Sequence, residues 1–267
     1  MTLHGGFLVG IGFLTAGVCA ALACIRILLR RLQDRSHQID ELKSQMLEWN
    51  RRLEETAFGR TQDLEDIHQR LQETYLETVT ALVEALSAKD NYLYSHSQNV
   101  ATYAQAIAQE IGFSKERIHR LVHGCKLHDV GKIAIPDSIL LKEDSLTGAE
   151  LEIIKQHPTW GARILQPLTF MKDITEMVHQ EHERWDGQGY PQGLKGEQIR
   201  LEARIIAVAD ALDAMTSQRP YRQRITIEQA GEELSRSAGT QFDPKVVEAC
   251  TRAIESGRLT LSSKQHP

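Results

Sequence analysis

Leu121-Val122-His123-Gly124-Cys125-Lys126-Leu127-His128-Asp129-Val130-Gly131-Lys132 joins an apolar helical run, Leu121 to Leu127, to an adjacent histidine and aspartate. A second run, Ile205-Ile206-Ala207-Val208-Ala209-Asp210, continues through Leu212 and Met215 with the period of a helix and sets a carboxylate among apolar neighbours. An ionised carboxylate in buried surroundings costs several kcal/mol unless it is paired or bound to a cation. His96, His157 and His182 stand near the ends of further helical patterns, far apart in the chain. Histidines and aspartates converging from different helices are how a metal cluster is built in an all-α fold.

The surrounding punctuation is helical. Thr147 with Glu150 and Thr226 with Gln229 read as capping boxes, Asp243-Pro244 as an N-cap followed by proline at the first helical position, and Gly257 as a stop. No run shows sustained strand alternation with hairpin turns, so the expected fold class is all-α. The chain has 267 residues, 41% hydrophobic and 25% charged, as an ordinary folded protein does. Its 31 Lys and Arg against 36 Asp and Glu give a net charge of −5, which argues against a protein built to grip a nucleic-acid polymer. Cys19, Cys24, Cys125 and Cys250 form no C-x-x-C pair, so neither a disulfide scaffold nor a structural zinc site is indicated.

The N-terminal part reads differently. Phe7 to Ile25 carries no charge and the apolar run extends to Leu29, the length of a membrane-crossing helix. Arg26, Arg30, Arg31 and Arg35 follow, which predicts an uncleaved anchor at the inner (cytoplasmic) membrane with everything after Arg30 in the cytoplasm. Met1 to Gly6 lacks the positive charge that a cleaved signal peptide would carry. Leu32, Ile39, Leu42, Met46, Trp49 and Leu53 then fall on a 3-4 spacing, restarted at Leu64, Ile67 and Leu71 after an offset around Ala57 to Arg60. This predicts a coiled coil joining two copies in parallel. The expected divisions are 1–29 for the anchor, 30–77 for the coiled coil, 78–256 for a helical domain and 257–267 for a tail.

His128-Asp129 with Lys132 resembles the core of the HD phosphohydrolase superfamily, and His182-Glu183-Arg184-Trp185-Asp186-Gly187-Gln188-Gly189-Tyr190-Pro191 resembles the signature of its HD-GYP branch. Lys89-Asp90 ahead of His96-Ser97, Gln156-His157-Pro158, Val208 to Ala214, Ser217 to Arg222 and Gly239 to Pro244 extend the resemblance over residues 78–256. The resemblance implies an HD-type helical bundle that hydrolyses cyclic di-GMP to linear pGpG, GMP or both, with two divalent metal ions, iron or manganese. It implies that His96, His128, Asp129 and Asp210 hold one ion, and that Asp129 bridges to a second held by His157, His182 and residue 181. It also makes Asp129 and Lys132 catalytic, with Lys132, Tyr190, Arg219 and Arg222 on the nucleotide.

The family usually has two adjacent histidines where this chain has Glu181-His182. A carboxylate suits harder ions such as manganese and iron(II). His179, one turn earlier, is a candidate replacement ligand, while His119 and His123 at i, i+4 match no family ligand and read as a solvated face. Two ions can activate a water for in-line attack on phosphorus, so no Ser or Cys nucleophile is needed. Glu181 keeps open one alternative, a catalytically impaired module that acts as a nucleotide receptor or a scaffold for a signalling partner; a second alternative is an HD hydrolase for another nucleotide, against which the Gly189-Tyr190-Pro191 segment weighs.

Overall fold

The computed structural model describes residues 4–87, 91–142, 144–217 and 224–259, with side chains at 4–16 and 86–94 outside the description. Lys89-Asp90, Arg219 and Arg222 lie outside the described residues. The chain divides into two units, residues 1–70 and 71–267.

The first unit is helical throughout its described part, in the helix α1 assigned over His4–Ser87, which runs without a break through the offset at Ala57 to Arg60. Among the described residues its apolar seam has no partner within this unit. Leu32, Ile39, Leu42, Met46, Trp49 and Leu53 are all exposed. Among the described residues no helix is long and apolar enough to cross a membrane, so the anchor expected over 1–29 gains no support.

The second unit is an all-helical bundle, and its only β feature among the described residues is an isolated bridge between Ala238 and Phe242. After the last turns of α1 come α2 (Asn91–Ile111), α3 (Lys115–Leu127), a 3₁₀ stretch (His128–Ala134), α4 (Asp137–Leu140), α5 (Gly148–Ile154) and α6 (His157–Leu165). They are followed by α7 (Lys172–Gln180), α8 (Leu201–Thr216), α9 (Ile227–Arg236) and α10 (Pro244–Glu255). Both capping boxes form: Thr147 accepts from the Glu150 amide and Thr226 from the Gln229 amide, each with the reciprocal bond. Asp243 caps α10 by accepting from the Lys245 amide at 2.8 Å, while its other oxygen takes Arg204 of α8 at 2.5 Å. One buried carboxylate thus starts a helix and ties it to a neighbour.

The core is supplied by α2, α3, α7, α8 and α10, with Ile107, Leu121, Leu127, Ile174, Ile205, Ile206 and Leu212 fully buried. Each such side chain stabilises the fold by about 2 kcal/mol relative to exposure. The apolar positions read from Ile205 to Met215 place Ile205, Ile206, Val208, Ala209 and Leu212 of α8 in this core.

Candidate metal centre

Five separate segments bring the predicted residues together. His96 stands in the second turn of α2, His128 and Asp129 open the 3₁₀ stretch after α3, and His157 is the first residue of α6. Glu181 and His182 follow α7, and Asp210 lies in the middle of α8. Gly131 makes the approach possible. A Cβ at that position would lie 1.8 Å from the His157 carbonyl oxygen and 2.6 Å from the Gly161 nitrogen, so only glycine lets the 3₁₀ stretch lie against α6.

The histidines are oriented by what their inner nitrogens touch. His128 Nδ1 is 2.6 Å from the Cys125 carbonyl and His157 Nδ1 is 2.8 Å from the Ile154 carbonyl. A carbonyl can only accept, so both Nδ1 atoms carry the proton and both Nε2 lone pairs face the centre. His96 Nδ1 lies 2.7 Å from the carboxylate of Asp213, a carboxylate–histidine pair that turns its Nε2 the same way.

Two groups of donors result: His96, His128 and Asp129, and His157, Glu181 and His182, each with its ligand atoms within 4.8 Å of one another. Asp129 links them. Its Oδ2 is 3.4 Å from His128 Nε2 and its Oδ1 is 3.6 Å from His157 Nε2. Asp210 Oδ1 flanks the first group at 3.3 Å from His96 Nε2. Glu181 sits between the groups, with its oxygens 3.2 Å from His157 Nε2 and 3.9 Å from His128 Nε2. Most of these separations exceed the 2.7–3.2 Å or so of a good N–H···O bond. They match neighbouring donors around a cation with bonds of about 2.0–2.2 Å. His/Asp/Glu clusters of this kind are compatible with divalent metals.

The electrostatics agree. Burial disfavours the His128 imidazolium, yet Asp129, Glu181 and Asp210 outweigh it and push its pKa up to about 9. Asp129 and Glu181 are both held below the usual carboxylate range despite burial, Asp129 by Lys132 and the three histidines, Glu181 by its histidine neighbours. The carboxylates therefore favour positive charge around His128 and Lys132, whereas burial pushes the His182 pKa down.

Lys132 Nζ lies 2.6 Å from Asp129 Oδ2, and although burial works against its charge, Asp129 raises its pKa. A cavity of about 340 Å³ opens over the donors, lined also by Lys132 and Tyr190. A neighbouring one of about 390 Å³ shares His182, Tyr190 and Asp210. The Tyr190 ring stacks on His182 at 5.0 Å between centroids. Its loop is held by Glu183, which is buried and accepts from the amides of Gln192 at 2.6 Å and Leu194 at 2.9 Å. A side chain at Gly189 would meet the Arg184 nitrogen at 2.4 Å, so the loop folds back onto its own start.

Some expectations need correction. Asp210 is not buried, its side chain being 30% exposed. The carboxylate of α8 that is fully buried beside His96 is Asp213, 0% exposed, which also accepts from Asn99 at 2.8 Å and Ser217 at 2.7 Å. Its place one turn after Asp210 on the same helix was the available signal. His179 joins neither donor group. His119 is exposed, but His123 is buried, so the pair is not a solvated face. Lys155 and Arg184, not anticipated, line the second cavity.

An all-helical bundle that gathers two such donor groups at its centre defines a class of metal-binding domain. The chain belongs to the HD domain family, whose model matches residues 80–246. It is 36% identical to the cyclic di-GMP phosphodiesterase response regulator RpfG of Xanthomonas campestris, over 84% of this chain and 58% of the relative. It is 41% identical to a cyclic di-GMP phosphodiesterase of Thermotoga maritima, over 66% of this chain and 49% of the relative. It is 39% identical to the 3'3'-cGAMP-specific phosphodiesterase 2 of Vibrio cholerae, over 67% and 34%. The chain thus spans roughly half the length of these relatives, or less. Among solved structures, Bd1817 of Bdellovibrio bacteriovorus, an HDGYP protein, superposes with a TM-score of 0.52 at 22% identity, over 69% of this chain and 61% of that one, which supports the fold.

Proposed function

We propose that the chain is an HD-GYP phosphodiesterase that hydrolyses cyclic di-GMP to linear pGpG, GMP or both, using two divalent ions, iron or manganese. The observation that carries this reading is Asp129, whose two oxygens face different donor groups beneath an open cavity. Bound there, divalent ions would polarise phosphate oxygens and make water a nucleophile at neutral pH. His96, His128, Asp129 and Asp210 would hold one ion, and Asp129, His157, Glu181 and His182 the other. The Nδ1–H bonds described above keep the three inner histidines in the ligating tautomer. Lys132 holds its proton and sits where it can donate to a phosphate or a departing oxygen once Asp129 is shared with a cation. Tyr190, fixed on His182 by the Glu183-bound loop, offers a ring face to a base. Arg219 and Arg222, in the segment after α8, are assigned to the nucleotide's phosphates on the motif alone.

The test uses the full chain purified without air and loaded with Mn²⁺ or Fe²⁺. Cyclic di-GMP and 3'3'-cGAMP are offered in parallel and products separated by chromatography. Turnover of cyclic di-GMP that vanishes in Asp129→Ala is the expected result. Faster turnover of 3'3'-cGAMP would reassign the substrate, and no turnover of either with either metal would overturn the reading.

We also propose attachment to the cytoplasmic membrane through residues 7–29, supported by the uncharged sequence and the arginines after it, and a parallel homodimer through residues 30–77. The exposed seam from Leu32 to Leu53 supports the dimer. Chain that stays soluble on fractionation, or runs as a monomer in detergent by light scattering, would refute these two statements respectively.

A further inference from the structure

His119 and His123 lie outside the cavity described above, on α3, with Nε2 atoms 3.4 Å apart and ring planes at 72°. The inner histidine is fixed by α1. Thr80 gives its hydroxyl proton to the Leu76 carbonyl at 2.8 Å and lies 2.9 Å from His123 Nδ1. A hydroxyl has one proton, so Thr80 must accept from Nδ1–H, and the His123 Nε2 lone pair is left facing His119. This is the same construction that orients the histidines of the metal centre: one nitrogen tied down by an acceptor, the other presented outward.

The spacing of 3.4 Å bears on two uses, a long N–H···N bond and a shared cation. A direct N–H···N bond would close to about 3 Å. Two imidazoles sharing a tetrahedral cation, with metal–nitrogen bonds of about 2.05 Å, place their nitrogens about 3.4 Å apart. Histidines at i, i+4 on one helix face are a known arrangement for zinc. The cations nearby are paired, Lys126 with Glu84 at 3.0 Å and Arg120 with Asp173, although both still act against positive charge at His123.

We propose that His119 and His123 form a second metal site, for a single divalent transition cation of the zinc, nickel or copper type, distinct from the centre around Asp129. Imidazole donors suit these ions and not magnesium or calcium. His119 is exposed, so the remaining positions of the ion are open to water, and two protein donors give an exchangeable site where a structural zinc has four. A cation on Nε2 polarises the ring and strengthens the Nδ1–H bond to Thr80, so occupancy tightens the last turns of α1 against α3. The inference is independent of the phosphodiesterase reading, since neither residue touches the cavity.

The test counts zinc bound to the full chain, wild type and His119→Gln, by competition with a chromophoric chelator. Glutamine at an exposed helical position preserves the fold. The expected result is one fewer equivalent of Zn²⁺, or one equivalent held at least tenfold more weakly, in His119→Gln. Carbethoxylation followed by mass spectrometry places it: Zn²⁺ should protect His119 in the wild type. Equal stoichiometry and affinity in the two proteins, or modification of His119 indifferent to Zn²⁺, would overturn the site. Activity is not part of this readout, so a failed phosphodiesterase assay leaves the result interpretable.

Discussion

Replacing Asp213 by asparagine keeps size and removes one acceptor from a group that serves three donors. In the structure one oxygen accepts from His96 Nδ1 at 2.7 Å and the other from Asn99 at 2.8 Å and Ser217 at 2.7 Å. An asparagine has one oxygen. Turned towards Asn99 and Ser217 it keeps two bonds and points its NH₂ at His96 Nδ1, which must then accept. That moves the ring proton to Nε2, the nitrogen 3.3 Å from Asp210, and a protonated nitrogen cannot ligate. Turned the other way it keeps the His96 tautomer and sets its NH₂ against Asn99. Changing a partner of a metal-ligating histidine costs about 10–100-fold in affinity, or about 1.4–2.8 kcal/mol. Asp213→Asn is therefore expected to weaken one class of Mn²⁺ site by that factor and leave the His157–Glu181–His182 group close to wild type. Titration of Mn²⁺ into chelator-stripped full chain, followed by calorimetry, reads both classes. Two unchanged classes, within twofold of wild type, in a protein of native helicity would refute the argument that Asp213 sets the tautomer of His96.

Glu181→His replaces a hard donor by a borderline one, so the ratio of Zn²⁺ to Mn²⁺ affinity should rise by at least tenfold; an unchanged ratio in competitive binding would remove Glu181 from the centre. Gly131→Ala pushes a methyl into the His157 carbonyl, where backbone rather than a flexible side chain must yield. A loss of about 2–3 kcal/mol, near 5–10 °C in Tm, is expected by thermal unfolding, and a Tm within 1 °C or so of wild type would contradict the close approach. Asp173 is partly buried, which alone would raise its pKa, but its bond to Arg120 holds it below the usual carboxylate value. Its contribution to stability is therefore present above that value and lost as the pH falls below about 4. In Arg120→Gln this part of the acid dependence of unfolding should flatten, and identical acid profiles would refute the pairing.

The fold class was legible because helices announce themselves locally. Thr147, Thr226 and Asp243 specify their caps through residues three positions away or fewer, and all three caps form. The cluster of candidate donors was legible through the resemblance: His128-Asp129 beside Gly131 and Lys132 is a contiguous pattern, and the structure brings His96, His157, Glu181 and His182 to it. What could not be read was which face each polar residue of a buried helix presents. Asp210 and Asp213 stand one turn apart in the same apolar run, yet one is 30% exposed and the other 0%. The difference is set by α2, whose His96 and Asn99 approach Asp213 from 117 and 114 residues away. His123 was misread for the same reason. Its burial depends on Thr80, contributed by the end of α1.

These two misreadings share a physical origin that bears on how the domain is built. In both, a histidine's inner nitrogen contacts a group on a different helix, and the sequence records only the outer half of the pair. A histidine tied through Nδ1 to a carbonyl three residues earlier, as His128 and His157 are, carries its own orientation with it. His96 and His123 instead borrow theirs from α8 and α1. Their Nε2 atoms are aimed only while those helices stay docked, so displacement of α8 would disable the first donor group and leave the orientation of His128 intact. The two kinds of tether therefore divide the centre into a locally specified part, around Asp129, and a part that reports the packing of the bundle.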